Sequence, residues 1–198
     1  MISIGVGNNA VQDVFSAVPI AADQNAINYN FGEQPAPGSP VSKAQAAGIG
    51  FWQNKNGQAL IQKFSSIGAW LAATLPQTFG ALAGATPRQV ATLYQQQFVL
   101  KDKLDAQFMA TALNVYATDA SLGGVASASC GFSVGQYGLG DSTWNVGSDG
   151  AAFNVANNTT LTVMQLLQDW DQQTNKSNTT LRKQALDAFG GINGKGGI

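Results

Sequence analysis

The feature that most constrains the fold is a proline-rich stretch at which the spacing of apolar residues changes. Residues 34–40, Gln-Pro-Ala-Pro-Gly-Ser-Pro, hold three prolines in seven positions, and proline cannot continue a helix or donate a ladder hydrogen bond. Before this stretch, residues 26–31 alternate apolar and polar side chains, which is the period of a half-buried strand. After it, apolar residues recur at helical spacing. We therefore predict an extended linker at residues 35–42.

The helical part carries recognisable start and stop signals. At residues 86–89, Thr-Pro-Arg-Gln places threonine at an N-cap, proline at the first helical position and glutamine where it closes a capping box. Further helices are predicted from about residue 103, from a cap at 158–160, and from 179 to the glycine pair at 190–191. The glycine-rich tail at 193–197 is predicted to be frayed.

Short glycine-containing segments separate three apolar runs in the middle of the chain. The runs at 125–130, 132–137 and 143–146 are predicted to be strands, with a hairpin loop at 138–141. Together they predict a small antiparallel β insertion at about 121–150.

These patterns predict a fold that is mainly α with a small antiparallel β insertion and a short β segment at the N-terminus. The predicted domains are a β segment at 1–34, the linker at 35–42 and a compact helical module at 43–198.

The composition excludes several classes of chemistry. The chain has no histidine and one cysteine, which rules out a Ser-His-Asp triad, imidazole metal sites and an internal disulfide. We expect no metal and no cofactor. Charged residues are 11% of the chain, against a usual ~25%, and the net charge is −1 with scattered basic residues. We therefore expect no nucleic-acid partner and, without an apolar run of ~18–20 residues, no membrane insertion. The oligomeric state is left open.

Paired carboxylates are the catalytic groups that this composition leaves, and glycosidases need only two of them. Asp102 and Asp105 are three residues apart and can share a helix face, while Asp119 ends the same predicted helix, where a carboxylate opposes the helix dipole. The candidates are Asp102, Asp105, Asp119, Asp141 and Asp169. The open alternative is that Asp102 and Asp105 are helix-cap charges and that Asp169 and Asp171 are solvated.

Two tryptophans lie beside amide side chains, which is typical of glycan-binding surfaces. Trp52 precedes Gln53 and Asn54, and Trp144 precedes Asn145. An indole ring can stack on the apolar face of a sugar while amides bind its hydroxyls. Core packing is the open alternative for both rings.

Residues 26–33, Ala-Ile-Asn-Tyr-Asn-Phe-Gly-Glu, resemble the closing strand of the collagen-adhesin B-type (prealbumin-like) repeats of bacterial surface adhesins. Residues 49–61 are similar to a module that follows such repeats in very large secreted bacterial proteins, and the similarity covers roughly 26–198. The resemblance implies that 1–34 is the remnant of a B-type repeat, that the chain is cut from a longer protein, and that its location is extracellular or on the cell surface. The resemblance implies no activity for the module, and it assigns no catalytic residue in this chain.

Two hypotheses follow. The first is a non-catalytic extracellular surface or matrix module whose partner is a polysaccharide or cell-surface glycan. The alternative is a small glycoside hydrolase that uses a pair of aspartates.

Overall fold

The predicted fold class is confirmed by the computed structural model of the protein, which describes residues 36–198. The helices of this part are α1 (Ile49–Gln53), α2 (Lys55–Lys63), α3 (Ile67–Thr74), α4 (Pro76–Phe79), α5 (Pro87–Val99), α6 (Leu104–Thr118), α7 (Gly124–Ser127), α8 (Val163–Gln172) and α9 (Thr179–Lys195). Short 3₁₀ helices lie at Gly80–Leu82, Ala128–Cys130 and Gly150–Phe153, and the strands are β1 (Thr143–Asn145) and β2 (Thr160–Thr162). The β segment predicted at 1–34 lies outside the described residues.

Helix α6 is the centre of the module because it is apolar or small on every face. Thirteen of its 15 residues are buried, and a helix of this kind must be surrounded by other elements. The ring of Phe108 lies 5.6 Å from that of Phe79 on α4 and 5.3 Å from that of Phe189 on α9. The core therefore sits around α6, with α5, α8 and α9 packed against it.

Two capping boxes set the starts of long helices. The predicted box at Thr86 and Gln89 is confirmed at the start of α5. The cap predicted at residues 158–160 is wrong for α8, since Thr162 takes that position and closes a capping box with Gln165. The reason is tertiary: residues 160–162 are first used by β2, so the chain leaves the strand and enters the helix at Thr162.

The sheet has two antiparallel strands, in which Thr143 pairs with Thr162. Part of the proline-rich stretch lies alongside it: the Val41 N–H donates to the Thr143 carbonyl at 3.1 Å, and the Thr143 N–H donates to the Ser39 carbonyl at 2.8 Å. Val41 is buried. Residues 39–41 are thus part of the packed module.

Two of the three predicted strands are wrong. Residues 124–130 form α7 and a 3₁₀ helix, and residues 132–137 form only an isolated bridge from Gly135 to Asp119. The Gly124 N–H donates to the Asp119 carbonyl at 3.0 Å, and a Cβ on Gly124 would lie 2.3 Å from Val134. This close approach turns the chain back onto the end of α6, so the partner of β1 is β2 and no hairpin forms at 138–141.

The predicted stop at residues 190–191 is also wrong, because α9 continues to Lys195. A Cβ on Gly191 would lie 2.7 Å from Cζ2 of Trp144, so glycine allows the indole to pack directly on the helix. Ile192 and Asn193 are buried beyond it. Tertiary packing thus outweighs the weak helix propensity of glycine, and residues 193–195 of the segment predicted to fray are helical.

Candidate functional site

Trp52, one of the predicted glycan contacts, is part of the core. Its side chain is 0% exposed, its indole N–H donates to Oδ1 of Asn114 at 3.0 Å, and its ring lies 5.7 Å from that of Phe132. Because no face of the ring reaches solvent, a sugar cannot stack on it in this conformation. The interpretation of Trp52 as a glycan contact is therefore corrected to core packing.

The two amides that follow Trp52 are exposed and differ in their roles. Oδ1 of Asn54 accepts from the N–H groups of Asn56 at 2.8 Å and Gly57 at 3.1 Å, which caps the start of α2. Gln53 is exposed at the end of α1. Asn54 therefore has a local structural role. A glycan contact at Gln53 stays a prediction, but the indole ring of Trp52 is buried and cannot share in it.

Trp144 is half-buried on β1, with one edge against Gly191 of α9. The neighbouring Asn145 uses its side chain internally: Nδ2 donates to the Asn158 carbonyl at 2.9 Å, and Oδ1 accepts from the Gly147 N–H at 2.9 Å. This amide stabilises the turn between the strands. A glycan role for Trp144 and Asn145 stays a prediction that the contacts do not favour.

Asp102 and Asp105 lie on either side of one guanidinium group. Nε of Arg182 donates to Oδ2 of Asp102 at 2.7 Å, and its Nη2 donates to Oδ1 of Asp105 at 3.4 Å. Partial burial acts to raise the pKa of Asp102, but the N–H of Leu104 and the charge of Arg182 outweigh it and hold that pKa below its ordinary value. A catalytic acid needs a raised pKa, so the environment of Asp102 favours an ion-pair role.

Asp119 is far from the other two carboxylates. It follows the last residue of α6, whereas Asp105 lies in the first turn, and 14 residues at 1.5 Å each separate them by roughly 20 Å along the axis. Glycosidase carboxyl groups lie within about 9.5 Å of each other. Oδ1 of Asp119 instead accepts from the N–H and hydroxyl of Ser121 at 2.7 and 2.6 Å. The structure thus does not bring the three aspartates together.

Three further findings concern the described residues 36–198 alone. They contain no group of three or more Asp, Glu or Cys side chains placed to hold a metal ion. None of their helices is both long and apolar enough to cross a membrane. Cys130 is a free, half-buried thiol.

A cleft that sequence reasoning missed lies where α3 and α4 face α8 and the turn that follows it. Its volume is about 790 Å³. Amide and hydroxyl side chains make up most of its lining: Thr74, Gln77, Gln168, Gln172, Gln173 and Thr174. Gln77, Gln168 and Gln172 are exposed, and within the described residues the side-chain amides of these three have no hydrogen-bond partner in the chain. We call this site the glutamine cleft.

Among the described residues that line the glutamine cleft, Asp171 is the one carboxylate, and it accepts hydrogen bonds from the backbone. Asp171 is 2% exposed, and its two oxygens accept from the backbone N–H groups of Gln77 at 3.0 Å and Thr78 at 2.8 Å. It caps the start of α4 and fastens that wall of the cleft to α8. The alternative that Asp171 is solvated is therefore wrong.

Lys176 also lines the cleft, and it bonds to the same wall. Its Nζ donates to the Asp171 carbonyl at 2.8 Å and to Oγ1 of Thr78 at 3.0 Å. Burial lowers the pKa of Lys176, while the charges of Asp171 and Asp105 oppose that shift. Gln173 anchors the turn through Nε2, which donates to the Ala152 carbonyl at 3.1 Å.

The cleft is thus built on a fixed frame of Asp171, Lys176 and Gln173, with free amides at Gln77, Gln168 and Gln172. The sequence signal that could have located it is the pair Gln168 and Gln172, which are four residues apart and share one face of α8. The partner wall at Gln77 could be found only from the folded structure.

The comparisons with known proteins found no match: no family model, no curated protein and no solved structure is significantly similar to this chain.

Proposed function

We propose that this chain is a non-catalytic module that binds a polysaccharide in the glutamine cleft. The observation that carries the proposal is a cleft of about 790 Å³ lined by Gln77, Gln168 and Gln172, whose exposed side-chain amides have no hydrogen-bond partner within the described residues. Amides donate and accept at once, which suits the hydroxyl groups of a sugar. A cleft of this size holds a short stretch of a polymer.

A binding role is supported over hydrolysis by the state of the carboxylates. Asp171 accepts from two backbone N–H groups and is 2% exposed, so its oxygens are turned to the protein and not to a ligand in the cleft. Asp102 and Asp105 share Arg182 elsewhere. Retaining and inverting glycosidases both need two free carboxyl groups across the scissile bond.

The setting that we propose is the outside of a bacterial cell, in a large secreted surface or matrix protein. The support is the resemblance of residues 26–33 to a repeat of surface adhesins, together with a surface in which amides and hydroxyls replace charge. Antibodies against residues 43–198 should label intact cells of the parent organism. Labelling that requires lysis would contradict this part of the proposal.

The binding proposal is tested by affinity gel electrophoresis of the full chain in gels that contain soluble polysaccharides, neutral and acidic. At least one polysaccharide should retard the wild-type protein. The double variant Gln168→Ala/Gln172→Ala should weaken that binding by about tenfold or more, because it removes two hydrogen-bonding amides at once.

The matched control is Gln95→Ala/Gln96→Ala, which removes two exposed glutamines from α5, outside the cleft. It should bind like the wild type. No retardation by any polysaccharide, equal losses in both double variants, or release of reducing sugar by the wild type would each overturn the proposal.

A further inference from the structure

A second cleft, of about 490 Å³, lies where the loop between α5 and α6 meets the start of α9. The sequence shows basic residues scattered along the chain, but the fold gathers four of the ten Lys and Arg residues here. They are Lys101, Lys103, Arg182 and Lys183. Asp102 is the one carboxylate among its lining residues. We call this site the cationic cleft.

The four cations differ in how far their charge is already engaged. Arg182 is matched by Asp102 and Asp105, and Nζ of Lys103 donates to the Phe98 carbonyl. Lys183 has only an exposed partner one helical turn away, and such pairs hold their charges weakly.

Lys101 is exposed, and no hydrogen-bond or ion-pair partner for its amine lies within the described residues. Within the described residues, the carboxylates that pair with the lining cations are Asp102, Asp105 and Asp187. Four cations against three carboxylates leave the cleft one net positive charge.

The cationic cleft and the glutamine cleft are neighbours. Lys176 lines the glutamine cleft, Arg182 lines the cationic cleft, and Nη1 of Arg182 donates to the Lys176 carbonyl at 3.3 Å. Only the turn between α8 and α9 separates the two sites.

The lining favours a saccharide over a nucleic acid. Leu186 and the aliphatic parts of the lysine side chains supply its apolar surface, and no aromatic ring is among the described residues that line it. Single-stranded nucleic acids gain much of their affinity from stacking on aromatic rings. A sugar ring with one charged substituent needs only an apolar contact and a cation.

We propose that the polymer bound by this chain is acidic, and that the cationic cleft takes a carboxylate or sulfate group of it while the glutamine cleft takes the adjoining sugar. This inference rests on the proposed function of the glutamine cleft. It specifies that the bound polymer is negatively charged and that the polymer contacts the protein at a second site.

The test measures the affinity of the full chain for three kinds of polymer by the same gel method at about 50 mM NaCl, where charge screening is weak. Polygalacturonate and alginate carry carboxylates, dextran sulfate carries sulfates, and galactomannan and xyloglucan are neutral. The variant is Lys101→Gln/Lys183→Gln. The control is Lys43→Gln/Lys55→Gln, which removes the same charge from exposed positions elsewhere.

The expected result is that the wild type binds an acidic polymer more tightly than the neutral ones. The Lys101→Gln/Lys183→Gln variant should lose about tenfold in affinity for that polymer, and the control less than about twofold. Comparison of the carboxylated polymers with the sulfated polymer identifies which acidic group the cationic cleft binds. Added salt should weaken the binding of the wild type more than that of the variant.

Other outcomes separate this inference from the proposed function. Binding that depends on Gln168 and Gln172 but is indifferent to Lys101 and Lys183 would overturn the inference and leave the glutamine cleft in place. Binding that depends on the lysines alone would overturn both. Equal affinity for single-stranded DNA would show general polyanion binding and overturn the inference.

Discussion

The side-chain nitrogen of Asn114 donates a hydrogen bond to the side-chain oxygen of Asn193 across 2.9 Å, deep between α6 and α9. Both residues are almost fully buried. Asn114 also accepts from the Ala47 N–H at 2.8 Å and donates to the Ala47 carbonyl at 3.0 Å. Asn114 on α6 therefore links the segment before α1, at Ala47, to α9, at Asn193.

The first prediction concerns this junction. Asn114→Ala leaves the Ala47 N–H and the Trp52 indole N–H without their acceptor in the core, and each orphaned donor costs about 1–3 kcal/mol. We expect the free energy of unfolding to fall by about 3–5 kcal/mol in urea denaturation. The exposed Asn157→Ala is the control, with a change within about 0.5 kcal/mol. Equal effects would show that the junction is not a major source of stability.

The second prediction compares two glycines of α9. Gly191→Ala places a Cβ 2.7 Å from the indole of Trp144, whereas Gly194→Ala has no atom within 4 Å of the new Cβ. The first should lower the midpoint of thermal unfolding, with a loss of about 1–3 kcal/mol from overpacking. The second should be neutral or raise stability by up to about 1 kcal/mol, since alanine favours the helix.

If Gly191→Ala were as stable as Gly194→Ala, then Trp144 would not pack on α9 in solution.

The third prediction is a pH dependence at Asp102. Its pKa is lowered in the folded state, so its stabilising effect is present above the unfolded pKa of about 3.9 and is lost as the pH falls through the folded value. Asp102→Asn removes the charge but retains an acceptor for Leu104. Because the side chain is 48% exposed, the loss at neutral pH should stay below about 1 kcal/mol.

The measurement is the difference in unfolding free energy between wild type and Asp102→Asn at about pH 7 and about pH 2.5. The difference should shrink at the lower pH. A difference that stays constant would show that the ion pair with Arg182 does not contribute.

The fourth prediction concerns the frame of the glutamine cleft. Asp171→Asn replaces one of two acceptors at the start of α4 by an N–H₂ group that faces a backbone N–H. We expect a loss of about 2–3 kcal/mol in unfolding free energy and weaker polysaccharide binding, since the wall at Gln77 is released. Asp141→Asn changes an exposed carboxylate that lines neither cleft and is the control for charge. Unaltered stability of Asp171→Asn would contradict the capping role.

Local sequence signals predicted the helices that depend on local chemistry. The capping box at Thr86 and the start of α6 near residue 103 are readable from neighbouring residues, and both are confirmed. The end of α9 was not predictable in this way, because glycine at 190 and 191 is a stop signal unless a ring packs on it. That ring, Trp144, is almost 50 residues away in the chain.

The candidate site was predictable only in part for the same reason. A tryptophan beside amides has the same local sequence whether its ring is exposed or buried, and burial of Trp52 depends on Asn114 and Phe132. The glutamine cleft combines Gln168 and Gln172 with Gln77, from helices that are distant in sequence. Composition leaves carboxylates, Lys and Arg, hydroxyls and amides as the available chemical groups, while the location of the cleft required the fold.

The most direct measurement of the central claim is the movement of glutamine side-chain NMR signals when a polysaccharide that retards the protein is titrated into the ¹⁵N-labelled chain. The account predicts saturable shifts at the side-chain amides of Gln77, Gln168 and Gln172, with Gln95 and Gln96 unchanged. Shifts centred instead on Trp144 and Asn145, with the three cleft amides unmoved, would contradict it.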